Sequence, residues 1–242
     1  VDFMPLAMDQ IINHAAKWRY MFGGKLSVPL VVRSIIGRGW GSAAQHSQSL
    51  QSLFAHIPGL KVVMPSTPYD AKGLLRSSVY DGNPVIFIEH RWLYEQMGHV
   101  PEEPYAIEIG KGIVRRPGSD VTVVAVSQMV CESIKAAEEL MGEGVDCEVI
   151  DLRTIRPLDT ALIIESVKKT GRLVVADTGW RECGAGSEII TRVVEEAFER
   201  LKAPAQRVNL PDVPTPASPV LEKAYYPGAA HIVSAVKKTL GK

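Results

Sequence analysis

The feature that most restricts this chain is a set of short, unbroken apolar runs bounded by turn residues. Val85-Ile86-Phe87-Ile88, which follows Asp81-Gly82-Asn83-Pro84, is the clearest of them. A strand with one wet face alternates apolar and polar residues, whereas a strand covered on both faces reads as a continuous apolar run. Residues 29–35, Leu60 to Met64, Val121 to Val126, Cys147 to Leu152, Leu173 to Ala176 and Arg207 to Leu210 read as further strands. Segments of helical spacing separate them: Asp70 to Tyr80, Met129 to Met141, Leu158 to Thr170 and Gly186 to Leu201. Residues 5–20 and Ala229 to Leu240 add a helix near each end. Strands alternating with helices of this length specify an α/β fold, a mostly parallel sheet flanked by helices. Residues 91–108 hold Pro101 and Pro104 and lose the periodicity, which marks a linker. The expected division is therefore residues 1–105 and residues 106–242.

Composition removes several function classes. The 27 basic and 27 acidic residues cancel, leaving no electrostatic footprint for nucleic acid or an anionic membrane. No apolar run approaches the ~20 residues that cross a bilayer. No basic-then-apolar leader opens the sequence, so a cytoplasmic location is expected. Cys131, Cys147 and Cys183 lack CxxC or zinc spacing and are expected to be reduced, buried thiols.

Self-sufficient active-site motifs are absent. No GxGxxG opens a helix, and neither a Walker-type GxxxxGK[ST], an HExxH nor a GxSxG elbow occurs. Gly184-Ala185-Gly186 could offer helix amides to an anion or simply pack closely. Asp177 and Glu182 could pair as carboxylates or sit in a solvated loop. The informative stretch is Gly39-Trp40-Gly41-Ser42-Ala43-Ala44-Gln45-His46-Ser47-Gln48-Ser49, a glycine-rich loop that leaves a strand and presents His46. An imidazole in such a loop suits proton transfer near neutral pH. Asp81 and Asn83 read first as an Asx turn, and only as a weak pattern for the oxygen donors of a hard cation.

Four stretches of the first half, Gln45-His46-Ser47-Gln48-Ser49, Ile57-Pro58-Gly59-Leu60-Lys61-Val62-Val63, Tyr69 to Leu75 and Asp81-Gly82-Asn83-Pro84, together resemble a known family. Asp151 to Asp159, Gly171 to Val175 and Pro211 to Pro216 extend the resemblance through the second half. The family is the β subunits of thiamine-dependent 2-oxo acid dehydrogenases, of the pyruvate and acetoin dehydrogenase type. It implies a pyrimidine-binding domain lacking its N-terminal part, followed by a transketolase C-terminal-type domain with three α/β/α layers.

The resemblance also implies a reaction and a set of partners. The expected reaction is oxidative decarboxylation of a 2-oxo acid, pyruvate first, with acyl transfer to lipoamide; acetoin cleavage and a non-catalytic docking module are the alternatives. Thiamine diphosphate would be shared with an α subunit that holds the diphosphate and magnesium. A second β subunit and a dihydrolipoyl acyltransferase core would complete the assembly. By resemblance Phe3 stacks on the aminopyrimidine, and His46 serves acyl transfer. Leu30, Ser78, Val79, Asp81 and Asn83 match a structural potassium site. Family members begin upstream of Val1, and that stretch carries the glutamate that tautomerises the aminopyrimidine. No residue here takes that role, so this chain alone is expected to be inactive.

Overall fold

A computed structural model describes residues 1–37 and 39–241. The chain enters through turns of changing pitch: a 3₁₀ turn at Met4–Ala7, a wide turn at Gln10–Ala15, then α1 at Ala16–Met21. The expected continuous helix is absent because the amide of Ala16 reaches back to the carbonyl of Ile11. That wide turn keeps Ile11, Ala15 and Ala16 together on the buried side.

The first half then supplies β1 (Val31–Ile36), α2 (Gln51–Ala55), β2 (Lys61–Val63), α3 (Pro68–Val79) and β3 (Val85–His90). α3 starts as its sequence dictates. Thr67 caps it by accepting from the amide of Asp70 at 3.1 Å, and Pro68 fills the first turn, where no amide is needed. β3 runs parallel between β1 and β2, and all its residues are buried, as its unbroken apolar run requires.

The second half contributes β4 (Ile113–Arg116), β5 (Val121–Ala125), α4 (Gln128–Met141), β6 (Cys147–Asp151) and β7 (Thr154–Arg156). It continues with α5 (Thr160–Thr170), β8 (Leu173–Trp180), α6 (Ala185–Ala197), β9 (Gln206–Leu210), α7 (Pro219–Tyr225) and α8 (Ala229–Thr239). Its sheet has the order β4-β6-β5-β8-β9, parallel except for β4. α4 and α8 bury Met129, Leu140, Ile232 and Val236 on one face, and α5 and α6 bury Ile163, Val167, Ile189 and Val193 on the other. The result is the expected three-layer arrangement. Of the three thiols only Cys147 is buried, where desolvation pushes it up to about 11; Cys183 is exposed, contrary to the sequence expectation.

The two halves share structure. β7 leaves the second half and pairs antiparallel with β2, making a sheet of order β1-β3-β2-β7. One apolar cluster runs through the seam, from Phe54, Val62, Met64 and Ile88 to Val126, Leu152 and Ile155. The 91–108 segment is also tied down. Tyr105 stacks on Tyr69 with ring centroids 4.5 Å apart, and Ile107 packs where a Cβ on Gly73 would come within 2.7 Å of it.

Charge closes the same seam. Asp70 on α3 and Asp151 at the end of β6 are fully buried, and Arg115 on β4 forms ion pairs with both. Arg153 adds an ion pair to Asp70 at 2.7 Å, and the Ser66 hydroxyl donates to Asp151. Two acids facing two guanidinium groups leave no net charge. Removing one partner from such a group strands a buried charge, which costs ~3–5 kcal/mol. Arg115→Leu should therefore lower the unfolding free energy by about that amount in a urea titration. A loss inside the ordinary ~0.5 kcal/mol of a surface change would show that the seam does not depend on Arg115.

Candidate functional site

The site is built at the C-terminal ends of parallel strands, where open α/β sheets place their ligands. The chain leaves β1 through Gly37, which sits at φ +66 and directly against the His90 imidazole, so a side chain there would overlap the ring. Burial pushes His90 down to about 3, so the ring is neutral near pH 7. Its Nδ1 accepts from the amide of Trp92 at 3.3 Å, which puts the ring proton on Nε2. Trp40 and Ala43 also adopt positive φ, a strain that non-glycine residues keep only when their surroundings impose it.

The surroundings come mainly from the other half. The amide of Gly41 donates to Glu222 Oε1 on α7 at 2.9 Å, and Thr215 Oγ1 donates to the Ser47 carbonyl at 3.3 Å. Gln51 Nε2 donates to Asp177 Oδ1 at 2.8 Å, and the amide of Ala185 donates to Ser52 Oγ at 3.0 Å. From its own half, the amide of Gln48 donates to Asp2 Oδ1 at 2.9 Å. Held on both sides, the loop leaves His46 exposed, with its ring centroid 5.4 Å from that of Phe3. Phe3 is itself 58% exposed. The two residues that the resemblance assigns to chemistry thus stand side by side at one open surface.

The other predicted residues gather elsewhere. Asp81 Oδ1 accepts from the amide and side-chain nitrogens of Asn83 at 2.9 and 3.0 Å, while Oδ2 pairs with the Lys61 ammonium. Burial pushes the Asp81 carboxyl up, but the bonds from Lys61 and Asn83 outweigh that and hold it below the usual carboxylate range. The Ser78 carbonyl accepts from the amide of Asp81 at 3.3 Å, and the Leu30 carbonyl from that of Val85 at 2.8 Å. Val79 is exposed at the end of α3. The donors are oxygens, as a hard cation requires, and Lys61 already supplies Asp81 with a positive charge. Among the described residues no cluster of histidine, cysteine, aspartate and glutamate could hold a metal ion.

Residues 1–96 match the model of the transketolase pyrimidine-binding domain, and residues 110–232 match the transketolase C-terminal domain. The acetoin:2,6-dichlorophenolindophenol oxidoreductase subunit beta of Cupriavidus necator is 50% identical over 240 residues, covering 99% of this chain and 71% of that protein. The pyruvate dehydrogenase E1 component subunit beta of Rickettsia felis is 46% identical over 237 residues, covering 98% of this chain and 73% of that protein. This chain belongs with the transketolase-like β subunits of the pyruvate and acetoin dehydrogenases. A solved split-gene transketolase, described as an inactive beta4 tetramer, shares the fold at a TM-score of 0.79 with 24% identity, covering 99% of this chain and 73% of that one.

In this β subunit two sequence readings resolve differently from their simplest forms. Asp177 is buried against Gln51, whereas Glu182 is exposed, so the two acids do not pair across a solvated loop. At Gly184-Ala185-Gly186 the amide of Ala185 is taken by Ser52, beside a cavity of about 590 Å³ that Arg156, Cys183 and Arg192 also line. As loop anchors Gln51, Thr215 and Glu222 escaped the sequence reading, and Asp177 entered it only beside Glu182. Asp177 had one signal, a carboxylate directly after the apolar run of a parallel strand; the others had none.

The Gly37–His90 contact gives a direct test of loop geometry. Gly37→Ala should cost ~1–3 kcal/mol of unfolding free energy, the usual range for overpacking. His90→Ala in the same chain should restore part of that loss by vacating the overlapped space. Matching urea curves for the parent and Gly37→Ala would show that the ring moves aside freely.

Proposed function

We propose that this β subunit converts a 2-oxo acid, with acetoin as the second candidate, and passes the acyl group to a lipoyl carrier. The observation that carries the reading is the exposed His46–Phe3 pair on a loop at the strand ends. Its support is the likeness to subunits named for pyruvate and for acetoin, at 46–50% identity. The acetoin reading rests on the two relatives named for it, at 50% and 46% identity.

Thiamine diphosphate supplies the carbanion stabilisation that such cleavage needs. Phe3 offers an exposed aromatic face on which a flat heterocycle can stack. In this reading an α subunit holds the diphosphate and magnesium, and a second β subunit and an acyltransferase core complete the assembly in the cytoplasm. His46 manages a proton. When the acyl group joins one lipoyl sulfur, the S–S bond breaks and the other sulfur needs a proton, which an imidazolium beside it can give. The glycine-rich loop leaves the imidazole open to an incoming lipoyl arm.

The test uses the full β subunit assembled with its α subunit. His46→Asn should slow lipoyl acylation at least tenfold, leave cofactor affinity unchanged and shift stability by no more than ~0.5 kcal/mol, as for an exposed residue. Parallel assays with pyruvate and acetoin identify the substrate by the larger kcat/KM. Normal acylation by His46→Asn would end the assignment.

The potassium reading belongs to the same proposal. An ion held by Asp81, Asn83 and the carbonyls of Leu30, Ser78 and Val79 has to displace the Lys61 ammonium. A ligand that binds only the folded state raises its stability by mass action. The melting temperature should therefore climb more in potassium than in sodium at equal ionic strength, and climb further in Lys61→Met. Identical curves in both salts for both proteins would leave Lys61 as the only cation of this turn.

A further inference from the structure

The junction behind the His46 loop is unlike the rest of the core. Gln51 and Asp177 meet there, 0% and 1% exposed, across a separation of 126 residues. Ser49 and Thr178, their near neighbours along the chain, are buried too, and among the described residues their hydroxyl oxygens have no hydrogen-bond partner. Among the described residues Oε1 of Gln51 has none either. A fold that only needed to fill this space would use apolar side chains, because a buried polar group without a partner costs stability. Gly179 makes room for the pair: a Cβ there would lie 2.9 Å from both Asp177 Oδ2 and Gln51 Nε2.

The position of the pair shows what it holds. Asp177 lies in the second half of β8, directly after the residues that pair with both β5 and β9. Gln51 opens α2, five residues after His46 and directly after the strained loop. α2 is too short to be fixed by its own hydrogen bonds. The Gln51–Asp177 bond therefore ties the C-terminal end of the loop to a strand of the second sheet. The contacts of Gly41 with Glu222 and of Ser47 with Thr215 serve its earlier part.

We propose that Asp177 is a positioning residue for His46, acting through Gln51 to fix the loop that presents the imidazole. This rests on the reading of His46 as the group that serves acyl transfer. Its role needs an acceptor oxygen and not a charge. Burial raises the Asp177 carboxyl toward its neutral form, against the opposing bonds from Gln51 and from the amides of Gly179 and Thr178. An asparagine keeps the acceptor oxygen, so it should serve almost as well. A leucine of similar size removes it.

Two measurements test this on the full β subunit, alone and assembled with its α subunit and cofactor. The first is amide hydrogen exchange of residues 43–50 in the subunit alone. Asp177→Leu and Gln51→Leu should each speed that exchange at least tenfold without changing exchange in β5 or β8, and Asp177→Asn should leave it near the parent rate. Unchanged loop exchange in both leucine variants overturns the proposal, and so does equal acceleration throughout the second sheet, which marks general destabilisation.

The second is single-turnover lipoyl acylation in the assembly. Asp177→Leu should lower kcat about tenfold while the KM for the 2-oxo acid stays within twofold, and Asp177→Asn should restore kcat. Combined with His46→Asn, Asp177→Leu should cost nothing further, because residues acting as one unit do not add. Full additivity overturns the proposal. If His46→Asn alone acylates normally, the reading of His46 falls, and the exchange experiment by itself decides whether Asp177 fixes the loop.

Discussion

The Asp70 carboxylate has no exposed surface, and among the described residues its charge is balanced by guanidinium groups from the other half of the chain. Much else follows from that arrangement. Arg115 reaches Asp70 from β4, and Arg153 reaches it from the turn between β6 and β7. Arg153 adopts a left-handed backbone at φ +58, and its amide donates to Asp151 Oδ1 at 3.0 Å. The next residues, Thr154–Arg156, then run beside β2 as an added strand. Charge neutralisation, strand pairing and the apolar cluster at Leu152 and Ile155 act along one stretch of chain. An isolated buried ion pair often contributes little net stability, but a charge left unpaired there is severely unfavourable. The seam is thus defended against opening more than it is strengthened in place.

The same dependence reaches the loop. Its contacts with Glu222 and Thr215, and those of the adjoining α2 with Asp177 and Ala185, all come from the second half. The first half carries His46, and the second half sets where His46 stands. Trp40 and Ala43 tolerate positive φ because those contacts over-determine the path. Loops that carry reactive groups are usually steadied by the scaffold beneath them. Here part of the scaffold is a different sheet.

Much of the fold was legible because burial on both faces leaves a sequence trace. Val85–His90 is a strand by its apolar run, Val121–Ala125 and Cys147–Asp151 follow with one or two buried polar residues, and Thr67-Pro68 announces α3. β4 and β7 were not legible. Ile113–Arg116 and Thr154–Arg156 are short, carry arginines and become strands through the partners they meet. The pitch changes before α1 are set by which residues find the core, and a helical pattern does not contain that information. At the site, family resemblance singled out His46 and Phe3, and the structure brought them together. The supports lay outside the pattern because Gln51 and Asp177 are linked only by the fold.

The contrast between support and surface bears on function. His46 and Phe3 are open, whereas Gln51, Asp177 and Ser47 behind them are buried. A site for a small diffusing substrate gains from closing over it, since excluding water strengthens the electrostatic interactions inside. Under the proposed function the site admits a tethered carrier, and such a site cannot close in that way. It gains by fixing the reacting group from behind and leaving the front clear. Preorganisation then comes from the buried side, where hydrogen bonds are protected from competition with solvent. An exposed imidazole on a strained loop with a buried polar foundation meets both demands.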